Sequence, residues 1–325
     1  MEKKNIALVC GGYSKESVIS IMGAESIEKH IPTDQYRVFK IIIEPNRWYY
    51  KAPDGSTEDI DKNNFSLAGS VHFDLAFINI HGKPGENGML QGYFDMLHIP
   101  YTTCDACTSA VTFHKDFCKS VLAQYGIRVP RSVRIFRHEN YDIDRIAENI
   151  GFPCFVKPNS EGSSIGISKV KRKEDLRGAI ENAFIEDNEV LIEHFVKGKE
   201  YSCGLMRFKG EIVVFPLAAI VPKNEFFDYE AKYKGASEEI VPAPVSEKLS
   251  REIGDISTRI YQVLNCKGVV RCDFIVEDGT EDVYFLEVNT TPGQSAESIV
   301  PKQVRHMGWT LEEFYQNVIT EALDR

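Results

Sequence analysis

The sequence predicts an α/β protein, with α+β character in parts, that is built from more than one domain. A buried strand at 5–10 (NIALVC) leads through Gly11-Gly12 into a helical pattern over 15–29. Strands at 36–44 and 73–82 follow, and this alternation of strand and helix is typical of a parallel α/β layer. At roughly 100–200 residues per domain, a chain of 325 residues is long enough for two or three domains.

The pattern after residue 103 predicts two further units. Residues 108–125 carry apolar side chains at helical spacing, and Gly126 is a natural end for one continuous helix. The second unit has a helix at 173–186 and strands at 152–157, 165–170 and 189–195. The third unit has a helix at 246–264, a final helix, and strands at 200–208, 211–220, 268–277 and 283–291. We therefore expect three domains, over residues 1–103, 104–192 and 193–325.

Composition and charge disfavour several classes of partner. A formal net charge of −10 argues against nucleic acid, whose phosphates need a basic surface. No apolar run approaches the ~18 residues of a membrane span, and the apolar stretch at 6–12 is too short for a secretion signal. We therefore expect a cytoplasmic protein without a membrane partner. The eight cysteines are scattered, and a lone CxxC at Cys104 and Cys107 favours a structural interpretation over a zinc or redox site.

The last pair of predicted strands carries the strongest chemical signal. Alternation along these strands, joined by a five-residue loop at 278–282, puts polar side chains on one shared face. On that face Asp273 lies opposite Glu287, and Arg271 lies opposite Asn289. Two opposed carboxylates repel unless a cation lies between them, and such oxygen ligands suit Mg²⁺ or Mn²⁺. The alternative is the exposed polar face of an edge hairpin.

A lysine at the end of an apolar strand precedes a Ser/Gly loop in FVKPNSEGSSIGISKV, residues 155–170. Backbone N–H groups of such loops bind phosphate, although no Lys follows Gly166 as it does in the common phosphate loop. Candidate phosphate ligands are Lys115, Lys157 and Lys232, although each alone is more often a solvated surface lysine. Together with a Mg²⁺ site, they indicate a nucleoside triphosphate.

These features resemble the ATP-grasp superfamily, and within it the D-alanine–D-alanine ligases. The resemblance covers nearly the whole chain and rests on five segments in order: GGYSKESVIS at 11–20, NIHGKPGENGMLQG at 79–92, KPNSEGSSIG at 157–166, FDYEAKY at 227–233 and EVNTTPGQSAESIVP at 287–301. It implies a three-domain ATP-grasp architecture, with ATP held between the central and C-terminal domains. It also implies a homodimer that ligates two D-alanine molecules through a D-alanyl phosphate and supplies a peptidoglycan precursor.

The resemblance further implies ligands for ATP and two Mg²⁺ ions. The metal ligands would be Asp273, Glu287 and Asn289. The ATP-binding residues would be Lys115, Lys157, Ser163, Ser164, Glu193, His194, Phe195, Val196, Glu200 and Lys232. Among them, Ser163 and Ser164 would cover the transferring phosphate. Residues 193–196 would contact adenine through backbone groups, and Glu200 would bind the ribose.

Glu16 is implied to bind the ammonium of the first D-alanine. Hydrogen bonds among Glu16, Ser163 and Tyr233 would hold the phosphate-covering loop closed. Read locally, Glu16 is a favourable carboxylate in the first turn of a helix, and this interpretation stands beside the implied one.

The second substrate and the reaction centre are implied to lie close by. His81 would contact the substrates at the C-terminal edge of the sheet, and Ser298 and Ile299 would bind the carboxylate of the second D-alanine. Arg271 and the Gly293 N–H would stabilise the tetrahedral intermediate. Arg271 is also a natural salt-bridge partner for the carboxylate two residues away, and both roles are compatible.

Single residues help to distinguish the possible second substrates and the alternative functions. Lys232-Tyr233 favours D-alanine as the second substrate, because relatives that join D-lactate carry His in this loop. Three residues depart from the usual pattern, namely Ser17, Asn87 and Glu297, and Glu297 adjoins the second-substrate pocket. D-serine or D-lactate as second substrate is therefore an alternative, and so is a non-catalytic nucleotide-binding relative. A dinucleotide-binding dehydrogenase is disfavoured, because no GxGxxG follows the first strand.

Overall fold

A computed structural model describes residues 2–162, 165–222 and 237–325. Within these ranges the chain forms three sheets in succession, with helices packed against them. No helix in the described ranges is long and apolar enough to cross a membrane. Four predicted site residues lie outside the described residues, namely Ser163, Ser164, Lys232 and Tyr233.

The first sheet begins as predicted and is then extended by strands that the sequence pattern does not reveal. Its elements are β1 Lys4–Gly11, α1 Ser17–His30, β2 Tyr36–Ile43, β3 Trp48–Lys51, β4 Thr57–Asp61, β5 Ser66–Leu67 and β6 Leu75–Ile78, followed by helix α2 Met89–Met96. Strands β2, β1 and β6 are parallel, as expected. Strands β3 to β5 add to the other side of β2 in antiparallel order, so the sheet is mixed rather than purely parallel.

The prediction of one helix over 108–125 is wrong, because the segment forms two helices, α3 Ala106–Phe113 and α4 Lys115–Gln124. His114 separates them with an extended backbone (φ −88°, ψ 98°), and its Nδ1 accepts the Phe117 N–H to cap α4. The carbonyl oxygen of Asn159 accepts the Lys115 N–H at 3.1 Å. The break therefore places Lys115 at the very start of a helix, against the loop that follows Lys157.

The second sheet is antiparallel and has the strand order β7-β10-β8-β9. Its elements are β7 Ser132–Phe136, α5 Ile143–Ile150, β8 Cys154–Pro158, β9 Ser168–Val170, α6 Lys173–Glu186 and β10 Glu189–His194. The bounds of α6 match the prediction. Both helices bury one face against the sheet, through residues such as Ile146 on α5 and Leu176 and Ile180 on α6.

The third sheet has the order β14-β13-β11-β15-β16, and β12 pairs with β11. Its elements are β11 Gly198–Phe208, β12 Glu211–Val214, β13 Ala218–Pro222, β14 Ser237–Ile240, α7 Glu247–Val263, β15 Val269–Glu277 and β16 Val283–Asn289, followed by α8 Ile299–His306 and α9 Leu311–Leu323. The single strand predicted at 211–220 is therefore two strands. The predicted last helix is α9, and α8 is an additional helix before it. Helix α9 returns to the first sheet, where Phe314 and Val318 share a core with Leu8 of β1.

The pairing of β15 with β16 brings the predicted polar residues together. Asp273 lies opposite Glu287 and Arg271 lies opposite Asn289, which confirms the predicted register at this end. A β-bulge follows between Asp273 and Phe274. Strand β15 is paired on both sides, with β11 and β16, and its core-facing side chains are buried, so its polar face is held firmly in place.

Candidate active site

A cavity of about 780 Å³ lies between the second and third sheets. The predicted site residues that line it are Lys115, Lys157, Glu193, His194, Phe195, Val196, Glu200, Arg271, Asp273, Glu287 and Ile299. Apolar side chains complete the wall, including Phe155, Ile167, Phe274 and Leu286. The cavity therefore combines cations, carboxylates and an apolar surface, as a site for a nucleotide requires.

The carboxylate of Asp273 is the centre of a hydrogen-bond network on the cavity wall. Arg271 binds it in bidentate fashion, with Nε–Oδ1 and Nη2–Oδ2 distances of 2.8 Å. The hydroxyl of Ser202 donates to Oδ1 at 2.6 Å, and the amide of Asn289 donates to Oδ2 at 2.9 Å. Ser202 is not predicted from the sequence, but it lies directly opposite Asp273 on β11.

Arg271 keeps its charge in this buried setting. Burial alone disfavours the guanidinium, but the carboxylates of Asp273, Glu287 and Glu239 outweigh that cost and raise the pKa of Arg271. Both interpretations of Arg271 therefore agree with its geometry, because it pairs with Asp273 and also lines the cavity.

The polar set on β15 and β16 has the donor chemistry of a Mg²⁺ site. Asp273, Glu287 and Asn289 supply only hard oxygen ligands, and they lie on adjacent strands. Within the described ranges, no three His, Cys, Asp or Glu side chains come together as a metal-binding group. Two carboxylates and an amide would leave the other coordination positions to phosphate oxygens and water, which is how Mg²⁺ commonly binds with nucleotides.

The side chain of Glu193 is buried and lies between two lysines. Its Oε1 accepts from Lys157 Nζ at 2.5 Å, and its Oε2 contacts Lys119 Nζ. Lys119 is not predicted from the sequence, although it lies one helical turn after Lys115 on α4, and this spacing is the signal that could have revealed it. Burial and the charge of Lys157 lower the pKa of Lys119, while Glu287 opposes this effect and Lys115 adds to it.

The backbone of residues 193–196 is partly engaged within the protein. The His194 N–H donates to the Arg131 carbonyl at 2.8 Å, and the Phe195 N–H donates to the Pro153 carbonyl at 3.3 Å. These two N–H groups already have partners. The expected backbone contacts to adenine would therefore come from the remaining N–H and carbonyl groups of residues 193–196. Lys169 Nζ lies 3.9 Å from the centre of the Phe195 ring, which adds a further cation to this side of the cavity.

A second group of predicted residues meets at the edge of the first sheet. Glu16 is buried at the N-cap position of α1, and its side chain makes no capping hydrogen bond, so both interpretations of this carboxylate remain predictions. A Cβ atom added to Gly162 would lie 2.8 Å from Glu16 Oε2. The start of the predicted phosphate-covering loop therefore packs directly on this carboxylate.

His81 is buried beside Glu16, and its Nε2 has no hydrogen-bond partner among the described residues. Burial lowers the pKa of His81, whereas the charge of Glu16 raises it and that of Arg271 lowers it further. His81 is thus mainly a neutral imidazole with one nitrogen available to a ligand. Because Arg271 both acts on His81 and lines the cavity, the His81–Glu16 group lies near the cavity wall.

Glu86 belongs to the same group, although the sequence pattern does not reveal its role. Its Oε2 accepts the Gly82 N–H at 2.6 Å. Burial and the nearby charge of Glu16 raise the pKa of Glu86 to about 7. The hydroxyl of Thr291, just after β16, donates to the Ile80 carbonyl at 3.0 Å and ties the third sheet to this edge of the first.

Gly293 and Ser298 lie against each other before α8. A Cβ atom at Gly293 would lie 2.9 Å from Ser298 Oγ, so only glycine fits there without displacement. Ser298 is the N-cap residue of α8, yet its Oγ makes no capping bond and lies 2.8 Å from Ser295 Oγ. Ile299 is the only one of these predicted residues found in the cavity wall. The side chain of Glu297 is 85% exposed and pairs with Lys302 at 3.6 Å.

Comparison with known proteins agrees with this arrangement along the whole chain. Models of the D-ala D-ala ligase N-terminus and C-terminus match residues 5–104 and 121–320. D-alanine--D-alanine ligases of Bacteroides fragilis (strain YCH46) and Parabacteroides distasonis are each 43% identical to this chain, over 98% and 99% of it and 98% of each relative.

Two solved structures show the same fold. The VanG D-Ala:D-Ser ligase from Enterococcus faecalis has a TM-score of 0.90 and 30% identity, over 99% of this chain and 100% of that one. The D-alanine--D-alanine ligase from Bacillus anthracis complexed with ATP has a TM-score of 0.80 and 28% identity, over 99% and 98%. The chain therefore belongs to the D-alanine–D-alanine ligase family and has its ATP-grasp architecture.

Proposed function

We propose that this protein is an ATP-dependent ligase that joins two D-alanine molecules into D-alanyl-D-alanine, a precursor of peptidoglycan. One observation supports the proposal most strongly. In this member of the family, the predicted phosphate-binding lysines, the buried arginine and the two opposed carboxylates all line a single cavity. Such a site can bind a nucleotide and stabilise the negative charge that develops when a phosphoryl or acyl group is transferred.

In this proposal ATP occupies the cavity between the second and third sheets. The base lies against the apolar wall and residues 193–196, and Glu200 accepts the ribose hydroxyls. Lys115 and Lys157 contact the phosphates. The support is that all these residues line one cavity, and that a related ligase of 28% identity binds ATP.

Two Mg²⁺ ions would be held by Asp273, Glu287 and Asn289. When bound, the ions neutralise charge on the phosphate oxygens of ATP. The protein contributes the rigid strand pair that keeps the two carboxylates opposed and the bidentate Arg271 contact that fixes Asp273.

The proposed reaction has two steps. The carboxylate oxygen of the first D-alanine attacks the γ-phosphorus, the bond to ADP breaks, and an acyl phosphate forms. The amine of the second D-alanine then attacks the acyl carbon, loses a proton, and the carbon–oxygen bond to phosphate breaks. Because an acyl phosphate is hydrolysed readily, the site must exclude water. Gly162, where the predicted phosphate-covering loop begins, packs on Glu16, which is consistent with this task.

Each substrate has a proposed set of partners. Glu16 binds the ammonium of the first D-alanine. His81 Nε2, which has no hydrogen-bond partner in the described part of the chain, contacts a substrate. Ser298 and Ile299, at the start of α8, bind the carboxylate of the second. Arg271 and the Gly293 N–H stabilise the oxyanion. Ser163, Ser164, Lys232 and Tyr233 keep their proposed roles, and they lie outside the described residues.

D-Serine is the strongest alternative as second substrate, because a D-Ala:D-Ser ligase is among the most similar solved structures. Three curated relatives of 40–44% identity are D-alanine--D-alanine ligases, and Lys232-Tyr233 favours the same substrate. We therefore keep D-alanine as the main proposal.

The test is an assay of phosphate release and product mass with purified protein, ATP and Mg²⁺. D-Alanine is supplied alone, and D-serine or D-lactate is supplied with and without D-alanine. Phosphate release and a D-alanyl-D-alanine mass with D-alanine alone support the proposal. Turnover only in a mixed reaction identifies a different second substrate. ATP binding without any turnover contradicts a catalytic role.

We also propose a homodimer that associates through the N-terminal domain. Val18 and Met22, four residues apart on α1, are 63% and 54% exposed, and such apolar side chains on one helix face favour burial against a partner. Sedimentation analysis should give twice the mass of 36.8 kDa, and a monomer at micromolar concentration would contradict the proposal.

A further inference from the structure

Lys119 is buried to an unusual degree for a lysine, with 3% of its side chain exposed, and it does not line the cavity. Its Nζ contacts the Glu193 carboxylate, whose side chain is 2% exposed. Burying an ion pair costs desolvation free energy on both sides, and an apolar pair of similar volume is often at least as stable. Stability alone therefore does not explain a lysine at this position.

The contacts of Glu193 suggest a different role. One carboxylate is shared between two ammonium groups, with Oε2 on Lys119 and Oε1 on Lys157 at 2.5 Å. Of these two lysines, only Lys157 lines the cavity. Lys119 approaches from α4, on the same helix face as Lys115, and Lys157 and Glu193 come from the neighbouring strands β8 and β10.

Charge counting shows what Lys119 changes. The contact with the Glu193 carboxylate favours the ammonium form of Lys119, against the burial and the charge of Lys157 that lower its pKa. In that form the group of three side chains carries a net charge of +1, and the carboxylate is divided between two cations. Without Lys119, Glu193 would neutralise Lys157 and the pair would be formally neutral. A neutral pair in a region of low dielectric attracts a phosphate much less than a group with a net positive charge.

We propose that Lys119 is a positioning residue for nucleotide binding: it engages Glu193 from behind and so leaves the positive charge of Lys157 available to the phosphates. The inference rests on the proposed function, since it assumes that a nucleotide occupies the cavity. The inference assigns a role to Lys119, which does not line the cavity. It also assigns the Glu193 side chain a role of its own, separate from the backbone contact of Glu193 with adenine.

The test compares binding of ADP and of adenosine, in the presence of Mg²⁺, by titration calorimetry. Lys119→Met removes the charge at similar volume. We expect the dissociation constant for ADP to rise about tenfold, the effect of roughly one weakened charge-assisted hydrogen bond. Adenosine carries no phosphate, so its affinity should change by less than about twofold. A general loss of structure would weaken both ligands.

A double variant makes the prediction independent of the first variant's folding. In Lys119→Met/Glu193→Gln the carboxylate that would neutralise Lys157 is also absent, so ADP affinity should return to within about threefold of the original protein. Lys267→Met is the matched control, because it removes a lysine that pairs with Asp105 at 3.0 Å and does not line the cavity. Its ADP affinity should be unchanged.

The outcomes separate the inference from the proposed function. Unchanged ADP affinity in Lys119→Met, equal losses for ADP and adenosine, or a double variant weaker than the single one would each overturn the inference while ADP binding by the original protein stands. If the original protein does not bind ADP, the proposed function and this inference fail together.

Discussion

Replacing Glu86 by Gln should stabilise the protein at alkaline pH and leave its stability almost unchanged at acid pH. Burial and the charge of Glu16 raise the pKa of Glu86 from 4.5 to about 7 in the folded protein. A carboxyl group whose pKa is raised by folding stabilises the folded state fully below its unfolded pKa, and this contribution is lost as the pH rises through the folded pKa. Gln resembles the protonated acid at every pH, so the variant does not lose it.

The pKa sets the size of the effect. The rise from 4.5 to about 7 corresponds to about 3 kcal/mol, at about 1.36 kcal/mol for each pH unit. Glu86 retains some solvent exposure, so screening reduces this figure and we expect about 1–2 kcal/mol. With an unfolding entropy of roughly 2 cal/mol/K per residue, the gain in Tm for a chain of 325 residues is about 2–3 °C.

Scanning calorimetry of both proteins at pH 4 and pH 8 measures this difference. The Tm of Glu86→Gln minus that of the original protein should be close to zero at pH 4, below the unfolded pKa of 4.5, and about 2–3 °C at pH 8. Glu58→Gln, at an exposed position on β4, controls for the substitution itself. A difference that is the same at both pH values, or that has the opposite sign at pH 8, would refute the reasoning about Glu86.

Three further substitutions test the proposed site. Glu287→Gln should reduce phosphate release from ATP by at least about 100-fold, as expected for loss of a metal ligand, and retained turnover would remove it from the metal site. Arg271→Ala should lower dipeptide formation by roughly 10²–10³-fold, the usual cost of losing an oxyanion donor, with an unchanged circular dichroism spectrum; a normal product yield would discard its role. Gly162→Ala places a Cβ 2.8 Å from Glu16 Oε2 and should raise the KM for D-alanine severalfold. Gly178→Ala on α6 has no neighbour within 4 Å of the added atom and serves as its control, so equal KM values in both variants would contradict the contact.

The sequence predicted the helices and strands whose apolar pattern is complete within one continuous segment. Helix α6 has the expected bounds, because its apolar spacing and polar flanks are complete within the segment 173–186. The strands β1, β2, β10 and β15 are short apolar runs that the fold buries, and they too lie where the sequence places them.

Elements that depend on distant residues were not predictable in this way. The break at His114 interrupts a regular apolar pattern, and Asn159 stabilises it from 45 positions along the chain. Strands β3 to β5 are only two to five residues long, and they are defined by their antiparallel partners. The hydrophobic periodicity of a segment does not show which distant residues it will contact or pair with.

The candidate site shows the same division. The cavity lysines and carboxylates were recognisable because they end strands or face each other across one hairpin. Lys119 and Glu86 were not, because what distinguishes them is burial next to another charge. A lysine inside a helix and a glutamate inside a loop look like ordinary surface residues until the fold removes their solvent.

The β-bulge next to Asp273 explains why the important pairing was right although the predicted pairing beside the 278–282 loop was not. Counting from a five-residue loop pairs Glu277 with Val283, whereas the structure pairs Val276 with Val283. The bulge adds one residue to β16 and restores the expected register at Glu287, so two deviations cancel. It also places the consecutive residues Leu286 and Glu287 in the cavity wall, while Phe285 and Val288 on either side stay buried. Strict alternation would turn one of the two into the core. In the proposed function, the bulge is therefore what lets one short strand offer an apolar surface to the base and a carboxylate to the metal.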